Sequence, residues 1–201
     1  NGLGPVFVAT SCGSCHVGDG PGHPFTTLTR FGQADANGNQ YLDQGGPQLQ
    51  HRAVPGVQPE SLPVDAPSAR FLPPLNTGLG FLDAVPDAEI LAWADEFDAD
   101  GDGISGRPNL VQRKTYSPLR AGSVEVDGLV VGRFGRKASV YDLLQQTASA
   151  YNQDIGVVSA FEPVDPYSPE PQDPEVATTT VHDVVFYLRT LPTPLIILDE
   201  A

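Results

Sequence analysis

The chain contains no methionine, and its 201 residues include two cysteines and one tryptophan. The missing methionines remove every thioether side chain, so a bound metal must find other ligands. Two cysteines allow one disulfide at most, and without a second cysteine pair they do not make a four-ligand zinc site. Basic residues are also scarce. Lys and Arg total 11 against 25 Asp and Glu, a formal net charge of -14. Such a balance argues against nucleic acid or an anionic membrane as partner, and suits a secreted protein, a cation binder or a partner of basic proteins. No apolar run of about 18 residues occurs, so no transmembrane segment is expected. The start, NGLGPVFVAT, has no basic region followed by an apolar stretch, so any secretory signal is expected to be absent from this chain.

Glycine (21) and proline (20) make up about a fifth of the chain. They predict long ordered loops between few regular elements. GPVFVATS reads as a short helix or an extended entry, and residues 17–86 as loop with short helical turns. PDAEILAWADEF reads as a helix capped by Asp87, with Ile90, Trp93, Ala94 and Phe97 at helical spacing. Val124–Val131 alternates about Asp127-Gly128 and reads as a hairpin. SVYDLLQQTASAY and TVHDVVFYLRTL read as helices. Ser139 with Asp142, and Thr180 with Asp183, are spaced as capping boxes. The apolar tail Leu195–Leu198 could pair as a strand.

The cysteines stand in CGSCH, from Cys12 to His16. Haem c is held by two thioether bonds from cysteine sulfurs to the porphyrin, and the two intervening residues set the sulfur spacing. The adjacent histidine then reaches the iron as proximal ligand. A plain disulfide would leave His16 without a reason. Haem c, covalent and single, is therefore the expected cofactor. With no methionine in the chain, the distal candidates are His51, His23 and His182, or else a tyrosine, a water or an open position. His51 ranks first, because its loop is long enough to fold over the haem.

Two loops have the rhythm of a calcium site. In DADGDGISGRPN, Asp98, Asp100, Asp102, the Ile104 carbonyl and Asn109 fall at ligand positions of an EF-hand-like loop, with Gly103 at the sharp turn. Asn109 stands where a bidentate glutamate is usual. DANGNQYLD offers a second candidate in Asp35, Asn37, Asn39, the Tyr41 carbonyl and Asp43. For each loop the alternative is a solvated turn.

GLGPVFVATSCGSCH, GGPQLQHRAVPGVQPE, LPPLNTGLGFLDAVPDAEILAWAD, DADGDGISGRPN, GRFGRKASVYDLLQQTASAYNQDIGV and VVFYLRTL occur in one series. Together they resemble the di-haem oxidoreductase family, also described as thiol-oxidoreductase-like or as di-haem peroxidases. The likeness is to its N-terminal haem half, since that family carries a second CxxCH in a second half. The resemblance implies a cytochrome c-like fold, covalent haem and a redox role outside the cytoplasm.

The expected fold is mainly α, a single c-type cytochrome domain over 1–201. It comprises a haem-attachment segment (1–20), a loop-rich insertion (21–86), a helix plus calcium loop (87–109), a hairpin (123–132), C-terminal helices (139–191) and an apolar tail (194–201). The expected function is electron transfer by a secreted mono-haem cytochrome, with a redox protein or an extracellular acceptor as partner and a periplasmic, cell-surface or extracellular location. Two alternatives stay open. One is peroxidase-type chemistry with a partner supplying the second redox centre. The other is a structural role in a homo-oligomer or filament joined through the tail.

Overall fold

A computed structural model describes residues 2–32, 34–35, 38–39, 41, 44, 46–165 and 168–194. In chain order the elements are β1 (Val6–Phe7), α1 (Cys12–Cys15), β2 (Leu28–Phe31), β3 (Ala34–Asp35), β4 (Gly38–Asn39), β5 (Arg52–Ala53), β6 (Ser68–Phe71), α2 (Leu79–Ala84), α3 (Asp87–Ala92), β7 (Leu110–Gln112), β8 (Glu125–Val126), β9 (Leu129–Val131), α4 (Leu143–Ile155), β10 (Val164–Asp165), β11 (Ser168–Pro171) and α5 (Thr178–Thr190).

The expectation of a mainly helical, cytochrome c-like fold is overturned. Among the described residues only α4 and α5 reach 13 residues, and the strands form five small sheets. Proline and glycine interrupt the apolar periodicity before most helices can lengthen, and the short extended runs between them pair instead. Of the two readings of GPVFVATS, the extended entry is the one present, with β1 at Val6–Phe7. Within 17–86, expected to be loop, β2 pairs antiparallel with β6 from Leu28↔Phe71 to Phe31↔Ser68.

The chain divides into two compact units. The first comprises Asn1–Asn76 and Thr147–Val184. Its β1 pairs with β5 through Val6↔Ala53 and Phe7↔Arg52. Val6, Phe7, Val8, Ala9, Phe31, Ile155, Val157, Val158 and Val181 are buried in it. A fully buried valine or phenylalanine contributes roughly 1.5–3 kcal/mol, so this strand entry is well anchored. The end of α4 meets it closely. Gly4 N–H donates to the Ile155 carbonyl at 2.9 Å, and a Cβ on Gly4 would lie 1.6 Å from the Gly156 carbonyl oxygen.

The second unit comprises Thr77–Gln146 and Val185–Ala201. Its sheet has the order β7-β9-β8. The expected hairpin is present, with Val126↔Leu129 flanking Asp127 and Gly128, both at positive φ. Val130, Val131, Phe134, Tyr141, Leu143, Leu144 and Val185 are buried. Gly80 lets α2 approach the end of α5, since a Cβ there would sit 2.1 Å from the Arg189 carbonyl oxygen.

Three helix boundaries move. The helix expected over PDAEILAWADEF stops at Ala92, and Trp93 and Phe97 are 87% and 86% exposed. Asp87 does not cap it but is buried against Arg133. The cap of α4 is Asp142, whose Oδ1 accepts from Gln145 N–H at 2.8 Å, so the helix starts at Leu143. Helix α5 begins at Thr178, which places His182 in its second turn. The tail Leu195–Leu198 lies outside the described residues.

Candidate haem-attachment site

The CGSCH segment lies in the first unit. Four residues after β1 the chain makes one helical turn, α1, closed by the His16 N–H donating to the Cys12 carbonyl at 2.9 Å. That turn places both cysteines on one side with His16 directly after. Both thiols are free, Cys12 exposed and Cys15 half-exposed. They keep solvent access on one side and are crowded by protein on the other. Crowding, and then the Asp154 carboxylate, push both thiols up.

His16 is half-buried, and its Nδ1 is buried without a well-formed hydrogen bond. Burial holds the ring's pKa below the usual histidine value. The Pro74 and Gly20 carbonyls, and then Asp19, oppose this and favour an N–H on the ring. A neutral imidazole whose second nitrogen faces backbone carbonyls is the form that ligates metal. The 73–76 segment is fastened there by two backbone hydrogen bonds and a close approach at Gly22. Gly22 N–H donates to the Pro73 carbonyl at 3.0 Å, Asn76 N–H donates to the Asp19 carbonyl at 3.1 Å, and a Cβ on Gly22 would meet Pro73 Cδ at 2.3 Å. Val17, next to His16, is 69% exposed, and Leu75, next to Pro74, is 41% exposed. Two accessible thiols one turn apart, a half-buried histidine and uncovered apolar side chains fit a covalently held haem.

The three distal candidates are exposed. His23 stacks on Phe25 with ring centroids 4.9 Å apart, and His182 meets Phe161 edge-on at 5.5 Å. His51 immediately precedes β5, whose Arg52 pairs with Phe7 and whose charge acts on Cys15. The preceding Gln50 is buried and donates to the Asn152 and Gln153 carbonyls, whereas His51 is exposed.

In the second unit the acidic loop draws together Asp95, Asp98 and Asp100, whose carboxylate oxygens lie within 4.8 Å of one another. The expected trio was Asp98, Asp100 and Asp102. Asp95 joins because Asp95 and Gly106 bridge across the loop, and no helix enters it. Asp102 Oδ1 accepts from Ile104 N–H at 2.7 Å, and Asn109 Nδ2 donates to the Lys137 and Ala138 carbonyls. Of the second loop, Asn37 and Asp43 lie outside the described residues, while the backbones of Asp35 and Asn39 belong to β3 and β4.

Sequence reasoning missed Pro74, Asp95, Tyr151 and Asp154. For Asp154 a signal existed, since an acid in the last turn of a helix opposes the macrodipole and asks for a reason. For Pro74 there was none, because its contribution is a main-chain carbonyl.

Two cysteines followed by a histidine are the residue set that could hold a haem, and the comparison with known proteins bears on the chain outside this segment. Residues 68–187, more than half of the chain, match the family described as "Di-haem oxidoreductase, putative peroxidase". The chain belongs to that family, a group of haem-binding oxidoreductases. The matched stretch begins after CGSCH and includes Pro74, the acidic loop, α4 and most of α5. No curated protein and no solved structure matches the chain.

Proposed function

We propose that this chain is a c-type cytochrome carrying one haem, bonded through Cys12 and Cys15 with His16 as proximal ligand, and that it transfers single electrons. The observation that carries the reading is the α1 turn, with two free thiols followed by a half-buried histidine whose charged form burial disfavours. When bound, the haem supplies a one-electron couple. The chain's residues hold it, fix the His16 ring and set the charge around it. His51 is the proposed distal ligand, and its support is the pairing of β5 with β1, just upstream of the cysteines. The proposed location is periplasmic, cell-surface or extracellular. Among the described residues no helix is long and apolar enough to cross a membrane. The net charge of -14 favours a basic redox partner.

Absorption spectra of the matured protein test this. A haemochrome band that survives denaturation, and a low-spin spectrum that turns high-spin in His51→Ala, are the expected results. A resting high-spin spectrum in the parent protein overturns six-coordination, and loss of haem on denaturation overturns covalent attachment.

A second reading is peroxide reduction with a partner supplying the other redox centre, and the family's description favours it. Peroxide-dependent oxidation of an electron donor, together with rapid cyanide binding, would select it over simple electron transfer. Assembly through the Leu195–Leu198 tail is a third proposal, discarded if a tail-deleted chain assembles as before. For the acidic loop we propose one structural calcium ion centred on Asp95, Asp98 and Asp100, where a hard cation would relieve the repulsion of three close carboxylates. A second, in DANGNQYLD, is proposed on the sequence pattern alone.

A further inference from the structure

The last turn of α4 carries a carboxylate to the cysteine segment. The Asp154 carbonyl accepts hydrogen bonds from Val8 N–H at 2.8 Å and Ala9 N–H at 3.0 Å, and Cys12 follows three residues later. The Asp154 side chain accepts from Gln48 Nε2, which also donates to the Gln153 carbonyl at 3.1 Å. Gln48 is buried and bridges Arg30 of β2. Among the described residues, the charged and titratable groups interacting with Asp154 are Arg30 from β2 and the Cys12 and Cys15 thiols from α1. The charge of Arg52 of β5 also acts on Cys15, opposing Asp154, and Tyr151, one turn back on α4, interacts with Cys12.

We propose that Asp154 is a redox-linked proton site: it binds a proton when the haem held by Cys12 and Cys15 gains an electron, and releases it on reoxidation. This rests on the haem reading above. Asp154 passes from carboxylate to carboxylic acid with a proton from solvent, as the iron passes from ferric to ferrous with one electron from a one-electron donor. Adding the electron removes a positive charge near the carboxylate, which weakens the attraction that keeps it ionised. Linkage requires the reverse effect of equal size, so an ionised Asp154 lowers the reduction potential. Burial pushes this carboxyl up to about 6, against the opposing Gln48 hydrogen bond and the Arg30 charge, so its titration falls near neutral pH.

The test is the midpoint potential of the holo-protein between about pH 5 and about pH 8, with haem content checked first by its haemochrome spectrum. In the parent protein the potential should fall as pH rises through the Asp154 titration and then level off. A tenfold difference in proton affinity between the redox states corresponds to about 59 mV. Asp154→Asn should abolish that step and keep a potential near the parent's low-pH value. Gln48→Leu, which removes the donor stabilising the carboxylate, should move the step to higher pH. A protonated-carboxyl band in redox-difference infrared spectra should be present in the parent and absent from Asp154→Asn. A flat parent profile, or an unchanged step in Asp154→Asn, overturns the proposal and leaves the haem reading standing. A protein without a haemochrome spectrum overturns both.

Discussion

Asp87 and Arg133 form an ion pair from which water is excluded, the arginine side chain being 2% exposed and the aspartate 1%. Asp87 Oδ2 also accepts from Val124 N–H at 2.8 Å, and Arg133 also donates to the Leu82 and Val85 carbonyls. The pair therefore ties the start of α3 and the end of α2 to the segment after β9. Replacing Arg133 alone strands a buried carboxylate. Arg133→Met should lower unfolding stability by about 3–5 kcal/mol in urea titrations, and adding Asp87→Leu should restore part of that loss. A single-variant loss below about 1 kcal/mol would mean that the carboxylate finds water.

Gly80→Ala should destabilise without touching any redox group. Its Cβ would sit 2.1 Å from the Arg189 carbonyl oxygen, and backbone cannot swing aside as a side chain can. A loss of roughly 1–3 kcal/mol is expected, read as a lower thermal midpoint with an unchanged haem spectrum.

The raised Asp154 also makes the haem-free chain pH-sensitive. Burial holds this carboxyl up at about 6 in the folded chain, well above the ordinary aspartate value. Between those values the folded chain holds more protons than the unfolded one, so stability contributed by this group falls as pH rises through the window. Asp154→Asn should remove that contribution and gain on the parent above about pH 6. Denaturant melts of both proteins across the window would check it, and a parent that gains on the variant as pH rises would contradict it.

Calcium should raise the thermal midpoint, and terbium bound in its place should show emission sensitised by Trp93, two residues before Asp95. Asp95→Asn and Asp98→Asn should weaken binding at least tenfold, whereas Asp102→Asn, outside the close trio, should change it little. A large loss for Asp102→Asn with little change for Asp95→Asn would restore the ligand pattern expected from sequence.

Local features were legible in the sequence where a few adjacent residues suffice. CGSCH demands one turn and one histidine, and the chain forms that turn. Asp127-Gly128 specifies a two-residue hairpin because both residues tolerate positive φ, and the hairpin is there. The amphipathic stripes of α4 and α5 were visible from their periodicity. The absence of methionine decided by itself that no intrachain thioether can meet an iron.

What depended on distant partners was not legible. Asp87 looked like a helix cap, yet Arg133, 46 residues on, claims its carboxylate. PDAEILAWADEF had the spacing of a longer helix, but the Asp95–Gly106 bridge competes for the backbone and the helix ends at Ala92. That same bridge brings Asp95 to Asp98 and Asp100. Strands β2 and β6 are short runs that gain stability only by pairing with each other, so single-segment reading saw loop. Residue type and spacing determined which chemistry the chain can hold. The tertiary structure decided what surrounds it, setting Pro74 beside His16 and Asp154 beside the cysteines, because burial and charge act through space and not along the chain.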